Sequence, residues 1–356
     1  MKEQQEIDFL IVGQGLAGTL LGHFLLEGGS SIMILDEYRP YTSSRVAGGL
    51  FHPVTGRRIV KSWMADEALP DAFQFYFEFE KEFGEKVFHS IDALEVTSSV
   101  HEYNEWTRRM DEQNLQHYFR QDAPNELYRG KIRDFIKLVR ITSSGWLDIP
   151  RFTSIVRKKF LASNLIKDEL FEQDQLKVEE SGISYEGLFA KRIIFCEGYK
   201  CLENKFWEYI PLIPAKGEIV VIECKGLPQE FILLSGMFII PIGNDQFRCG
   251  ATYGWKFENE LPTESGKSKL LEMLNNVLKT EFKIIEHTSG VRPTVKDRRP
   301  ILGQHPDHQN VFIFNGLGTK GVSLTPYFAN HFIEHLENDA RLMSEVDVGR
   351  FSSMKN

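Results

Sequence analysis

At 356 residues the chain has room for two domains, or for one large α/β unit with an insertion, at roughly 150 residues per domain. Hydrophobic residues make up 42% and charged residues 26%, which excludes a disordered or fibrous chain. Lys and Arg number 42 against 50 Asp and Glu, a net charge of −8, so no broad nucleic-acid-binding surface is expected and nucleic acid is not expected as the main partner.

Cys196, Cys201, Cys224 and Cys249 form no CxxC pair and are expected as reduced thiols of a cytoplasmic protein. The first residues carry acid where an export signal carries base, and no such signal is expected. The longest uncharged apolar stretch, Phe231 to Asn244, is broken by Gly236 and Pro241 and is too short to span a bilayer. A homo-oligomer is compatible with this composition.

In chain order, Asp8 to Val12 reads as a strand that leads into Gly13-Gln14-Gly15-Leu16-Ala17-Gly18. Apolar positions 16, 17, 20, 21, 24 and 25 then recur at helical spacing. Gly28-Gly29 stops the helix, and Ser31 to Leu35 forms a second strand ending in Asp36. Leu69 to Phe83 places Ala72, Phe73, Tyr76, Phe77 and Phe83 mainly on one helical stripe. Lys191 to Phe195, closed by Cys196-Glu197-Gly198, suits a parallel strand returning to the first sheet. Ile210 to Cys249 reads as antiparallel strands, and Leu270, Leu271, Leu274, Val277 and Leu278 as a core-facing helix.

The first glycine of GxGxxG permits the tight turn, the second lets backbone approach a pyrophosphate, and the third packs helix on strand. Here the motif follows a strand, opens a helix, and is followed by Asp36 eighteen residues after Gly18, where the ribose hydroxyls need an acceptor. Gly22 extends it to GxGxxGxxxG, a form of FAD proteins more than of nicotinamide dehydrogenases; a glycine turn without a ligand is the alternative. Expected cofactor contacts are Gly13, Gly15, Leu16, Ala17, Gly18 and Asp36, with Glu37 beside it. A second GxGxxG, Gly316-Leu317-Gly318-Thr319-Lys320-Gly321, follows the apolar run Val311 to Phe314, but no strand precedes Asp339, eighteen residues on. It offers a helix N-terminus that stabilises negative charge, or it is a surface loop.

The segment Gly290-Val-Arg-Pro-Thr-Val-Lys-Asp-Arg-Arg-Pro-Ile-Leu-Gly303, followed by Asn315-Gly-Leu-Gly-Thr-Lys-Gly-Val-Ser-Leu-Thr-Pro326, resembles the C-terminal signature of the D-amino acid oxidase and glycine oxidase family. Ser43-Ser-Arg-Val-Ala-Gly-Gly-Leu50, Pro214-Ala-Lys-Gly-Glu218 and Gly250-Ala-Thr252 are further landmarks in order. The resemblance implies an α/β fold: a Rossmann-like, glutathione reductase-type FAD-binding domain (1–85, 141–212, 286–356) interleaved with an antiparallel-sheet substrate domain (86–140, 213–285). It adds Ser43, Ser44, Arg45, Gly48, Gly49, Leu50, Leu170, Gly198, Gly316, Gly318, Thr319, Lys320, Gly321 and Val322 as expected FAD contacts.

In glycine oxidase-like members the arginine of Gly-x-Arg-Pro, here Arg292, holds the substrate carboxylate, as a planar guanidinium can; a structural arginine serving loop carbonyls is the alternative. Phe238 stands at the family's substrate-sheet tyrosine, which counts against glycine as substrate. Tyr253 and His52 are further candidate substrate contacts, His52 also reading as a loop histidine bonded to backbone. Lys320 replaces the arginine of the similar loop in a bifunctional tRNA-uridine modification enzyme; it is either solvated or paired with flavin oxygen, and with Arg292 it forms the expected catalytic pair. Near Arg292 there is no cysteine of the kind that attaches flavin in sarcosine oxidase-like relatives, so non-covalent FAD is implied. His305 and His308 beside Asp307 are not expected to hold a metal, and Arg298 and Arg299 are expected on a solvated face.

The implied reaction is oxidation of an amino acid or secondary-amine carboxylate by hydride transfer to flavin N5, giving an imine, with oxygen or a quinone as electron acceptor. The alternatives are a hydroxy-acid dehydrogenase serving a quinone or carrier, and flavin-dependent tRNA modification.

Overall fold

The computed structural model describes residues 5–55 and 59–355; residues 1–4, 56–58 and 356, which the expected FAD domain includes, lie outside these. The chain divides into two compact units, the first of 1–45, 149–215 and 291–356, the second of 46–148 and 216–290.

In the first unit, strand Gln5–Val12 lies between Ile32–Leu35 and Leu188–Phe195, parallel to both. The strand Leu188–Phe195 forks. Its first half pairs antiparallel with Gly182–Tyr185, and its second half parallel with His308–Asn315. Ile301–His305 returns antiparallel along the last of these. The central residues Leu10, Ile193, Phe195, Ile313 and Trp207 are buried in one core, in line with the near-continuous apolar runs of a sheet covered on both faces. Register puts Val12 opposite both Leu35 and Phe195, and Phe195 opposite Ile313. The carboxyl ends of four parallel strands therefore meet along one edge, the place where open α/β sheets bind ligands. Helix Leu16–Glu27 buries Leu16, Leu20, Leu21 and Leu25, and helix Gly321–Asn338 follows the strand His308–Asn315.

The second unit is built on an eight-stranded, mainly antiparallel sheet in the order 283–292, 215–223, 246–250, 238–243, 232–234, 93–97, 137–141 and 119–120. Ile232–Leu234 and Ala93–Thr97 run parallel. Helix Glu264–Val277 presents Leu270, Leu274 and Val277 to one face, where Val220, Ile222, Phe247 and Cys249 pack. Trp106, Trp146, Ile232, Leu234 and Ile240 form a separate core.

Residues 46–55, 59–85 and 141–148, expected in the FAD domain, pack in the second unit instead, as do 286–290, while 213–215, expected in the substrate domain, pack in the first. The reason is a small sheet in which Leu50–Phe51 pairs with Gly145–Leu147, and that with Phe88–Ser90. The Phe51, Phe73 and Phe88 rings close over it at 5.1–5.3 Å. Strands of two or three residues are too short for a period to show in sequence. All four cysteines are buried and free. Among the described residues no helix is long and apolar enough to cross a membrane.

Candidate cofactor and substrate sites

The carboxyl edge of the first unit collects most of the expected cofactor residues. A Cβ on Gly18 would lie 2.0 Å from the Gly13 carbonyl oxygen, so this turn closes only on glycine. A Cβ on Gly15 would meet only the Ser44 hydroxyl, at 3.0 Å. Ser44 Oγ accepts the N–H of Leu16 at 2.9 Å, one of the first-turn donors that have no acceptor within a helix. Gly321 opens the second helix close to Leu16, whose Cδ2 would be 3.2 Å from a Cβ at Gly321. Two positive helix ends thus converge. Asn315 joins the remaining loops: its Nδ2 donates to the Gly198 carbonyl at 2.9 Å, and its Oδ1 accepts the Gly316 N–H at 2.8 Å.

Asp36 ends the second strand, and its Oδ1 accepts the N–H of Gln14 at 2.8 Å. Its Oδ2 receives Arg157 Nη1 at 2.9 Å and Arg45 Nη2 at 3.5 Å. Three donors leave room on a carboxylate with about four lone-pair sites. The buried Arg157 also donates to Gln14 Oε1 at 2.8 Å and faces a cavity of about 230 Å³ with Gln14, Tyr38, Arg45 and Thr153. Arg157 went unnoticed in the sequence although a charge among the buried Phe152, Val156 and Phe160 was a readable signal. The Arg45 guanidinium stacks 3.8 Å from the Tyr38 ring centroid. Glu37 pairs with Arg39 at the surface, Ser43 opens a short helix, and Leu170 is exposed. Helix ends for a diphosphate and a carboxylate for ribose hydroxyls fit the nucleotide half of FAD.

Lys320 precedes the second helix. Burial, aided by the charges of Arg298 and Arg299, lowers its pKa to about 8. Burial also lowers the pKa of Arg299, so this residue is half-buried rather than on the solvated face expected for it, while Arg298 is exposed. Asp297 and Glu345 act on Arg299 in the opposite sense, through space. Arg292 is half-buried at the end of strand Lys283–Arg292. Glu197, another residue the sequence reading missed, follows the strand Leu188–Phe195. Burial pushes its pKa up to about 7, against a bond from Asn204 Nδ2 at 2.7 Å.

In the second unit the ring of Phe238 lies on Gly48, where a Cβ would come 2.6 Å from its Cζ. Gly49, at φ +74°, would put a Cβ 1.9 Å from the Leu147 carbonyl oxygen. Leu50 pairs with Trp146. The His52 carbonyl accepts Ser62 Oγ at 3.1 Å. Tyr253 is exposed, its ring edge-on to Trp255 at 4.7 Å. Glu218 is buried and accepts from Thr263 N–H at 3.0 Å and Thr263 Oγ1 at 2.8 Å, with His287 Nε2 also 2.8 Å away. Back in the first unit, His305 Nδ1 accepts the Asp307 N–H at 3.2 Å, and burial pushes the pKa of His305 down to about 4.

A parallel sheet whose carboxyl edge carries a glycine turn, two helix N-termini and a ribose-type acid defines a dinucleotide-binding flavoprotein domain. Residues 8–335 match the family described as DAO, FAD dependent oxidoreductase. The chain belongs to that family, and FAD is its cofactor. The tRNA 5-methylaminomethyl-2-thiouridine biosynthesis bifunctional protein MnmC of Marinobacter nauticus is 21% identical over 376 residues, covering 96% of this chain and 58% of that protein. Glycine oxidase of Bacillus subtilis is 24% identical over 182 residues, 46% of this chain and 48% of that one. The chain thus spans about half the length of these curated relatives. Among solved structures, glycine oxidase from Geobacillus kaustophilus superposes with a TM-score of 0.77 at 18% identity, covering 98% of both chains. Iminodiacetate oxidase from Chelativorans sp. BNC1 gives 0.76 at 18%, covering 95% and 98%. At these identities the likeness shows the fold.

Proposed function

We propose that the protein oxidises the carbon–nitrogen bond of an amino acid or secondary-amine carboxylate, giving an imine that water hydrolyses, with FAD held non-covalently. The observation that carries this reading is the Arg292 guanidinium, half-buried at the end of strand Lys283–Arg292 in a chain of the FAD dependent oxidoreductase family. Bound FAD supplies the acceptor for the electron pair and hydrogen that leave the substrate carbon. Arg292 binds the substrate carboxylate through its planar fork. Lys320 and the helix end hold negative charge, and an anion there draws the Lys320 pKa back up from about 8. The substrate amine needs only to reach its neutral form, so no strong protein base is required. Phe238 offers an apolar face in place of a hydroxyl, which disfavours glycine itself.

Anaerobic mixing of the purified yellow protein with a panel of amino acids, secondary amines and hydroxy acids tests this. Bleaching by amine carboxylates supports it, and bleaching by hydroxy acids alone replaces it with the dehydrogenase reading. Oxygen consumption then separates oxygen from a quinone or carrier as acceptor. The match to MnmC along 96% of this chain keeps a modified-uridine amine as a second substrate class, against the net charge of −8.

A further inference from the structure

Asp36 follows strand Ile32–Leu35, and its side chain is largely buried. A carboxylate taken out of water needs a cation and hydrogen bonds to hold it. Arg157, on the buried face of helix Ile149–Ala162, supplies both. Its Nη1 donates to Asp36 Oδ2 at 2.9 Å and to Gln14 Oε1 at 2.8 Å, and its Nη2 lies 3.2 Å from Asp168 Oδ1. Asp168 follows strand Ile166–Lys167, which pairs parallel with Ile32–Leu35. One guanidinium thus ties the glycine turn to the carboxyl ends of two adjacent strands. Gln14 is itself fixed, its Nε2 donating to Thr19 Oγ1 and to the Thr153 carbonyl, both at 3.1 Å. With Oδ2 held by Arg157 and Oδ1 by the Gln14 N–H at 2.8 Å, the Asp36 carboxylate is fixed in rotation. The second cation, Arg45, reaches Oδ2 only at 3.5 Å, beyond the usual hydrogen-bond range, and its guanidinium is engaged by the Tyr38 ring and the Arg39 carbonyl. Both arginines border the cavity of about 230 Å³, with Tyr38, Thr153 and Ser154.

We propose that Arg157 is a positioning residue for FAD: it fixes the Asp36 carboxylate so that the remaining lone pair accepts from a hydroxyl of the adenosine ribose. The inference rests on FAD as the cofactor and is independent of the amine-oxidation reading. Helix Ile149–Ala162 carries no nucleotide motif, yet through this one side chain it governs how the ribose is recognised. A carboxylate free to turn would spread its acceptors over several directions and lose the directional part of that recognition. Lysine, a point charge on a flexible stem, can keep the charge but not the fork that reaches Asp36 and Asp168 together.

The test measures equilibrium binding to the full chain freed of FAD, with no turnover. Calorimetric titration compares ADP with 2′,3′-dideoxy-ADP, which lacks both ribose hydroxyls, and flavin fluorescence follows FAD itself. Wild type should bind ADP at least about ten-fold more tightly than dideoxy-ADP, a preference that one hydrogen bond to a charged acceptor can supply. Arg157→Met, which keeps an apolar stem, should bring the two nucleotides to within about two-fold of each other, mainly by weakening ADP, and should weaken FAD about ten-fold. Arg157→Lys should keep part of the preference. Asp36→Asn should lose the preference as well, and adding Arg157→Met to it should change the ratio no further, because the two side chains act as one unit. Equal binding of ADP and dideoxy-ADP by wild type overturns the proposal. A purely structural arginine would, when replaced by methionine, lower the affinity for both nucleotides by the same factor and leave their ratio intact, and that result overturns it too. If Arg157→Met does not fold, Arg157→Lys with the full wild-type preference overturns it equally.

Discussion

Gly15 of the first unit and Gly48 and Gly49 of the second are opposite cases. At Gly15 of the first unit the absent side chain leaves space, since a Cβ would meet nothing harder than the Ser44 hydroxyl. At Gly48 and Gly49 of the second the space is filled by the protein itself, by the Phe238 ring and the Leu147 carbonyl. If Gly15 leaves its space to the cofactor while Gly48 and Gly49 serve packing, substitutions at these three positions should separate cofactor loss from fold loss.

The largest effect is expected at Gly49. Alanine there must hold φ +74° and displace the Leu147 backbone, at a cost of about 3 kcal/mol or more. Urea denaturation should find it unfolded or strongly destabilised, and a wild-type midpoint would break the comparison on the packing side. Arg292→Ala should leave fold and flavin content intact while lowering kcat/KM at least tens-fold, about 2–5 kcal/mol of transition-state binding. Arg292→Lys should restore part of this. Stopped-flow flavin reduction at equal FAD occupancy measures both, and reduction by the alanine variant at the wild-type rate would make Arg292 structural.

A smaller effect, about ten-fold in FAD affinity or 1.4 kcal/mol, is expected for Gly15→Ala, with the unfolding midpoint of the cofactor-free protein nearly unchanged. Asp36→Ala should also loosen FAD. It should cost stability as well, because Arg157 loses one of its acceptors and the Gln14 N–H loses the Asp36 carboxylate. Ultrafiltration followed by the flavin spectrum of the retained protein reads both, and full retention by either variant removes that residue from the site.

The effect at Glu197 is confined to one range of pH. Its carboxyl is raised to about 7 in the folded protein from an ordinary 4.5, so between these values the folded state binds a proton that the unfolded state lacks. Stability contributed by this group is therefore lost as pH rises from about 4.5 to 7. Glu197→Gln should gain roughly 1–3 kcal/mol over wild type at pH 8 and none at pH 4. Parallel urea-denaturation curves across that range would show the carboxyl to be solvated.

What was legible in the sequence follows the same division. The turn Gly13–Gly18, Asp36 and the parallel strands around them are encoded within short local windows. The packing of Gly48 and Gly49 was not legible, because Phe238 and Leu147 lie about 190 and 98 residues away from them in sequence. The placement of 46–55 and 59–85 failed for the same reason, resting on pairings to Gly145–Leu147. Glu197 carries no motif. Its raised pKa comes from desolvation, which only the folded neighbours reveal.

The forked strand has a consequence for synthesis. Gln5–Val12 finds its partner Leu188–Phe195 only after more than 180 residues have been made, and the fork is completed by His308–Asn315. At roughly 5–20 residues per second, the first strand waits on the order of ten seconds or more for its neighbour. Asn315, which ties Gly198 to Gly316, leaves the ribosome later still. Cofactor capture is therefore a late event of biogenesis, and a nascent chain that stalls before His308 exposes one half of a parallel sheet edge to whatever strand arrives first.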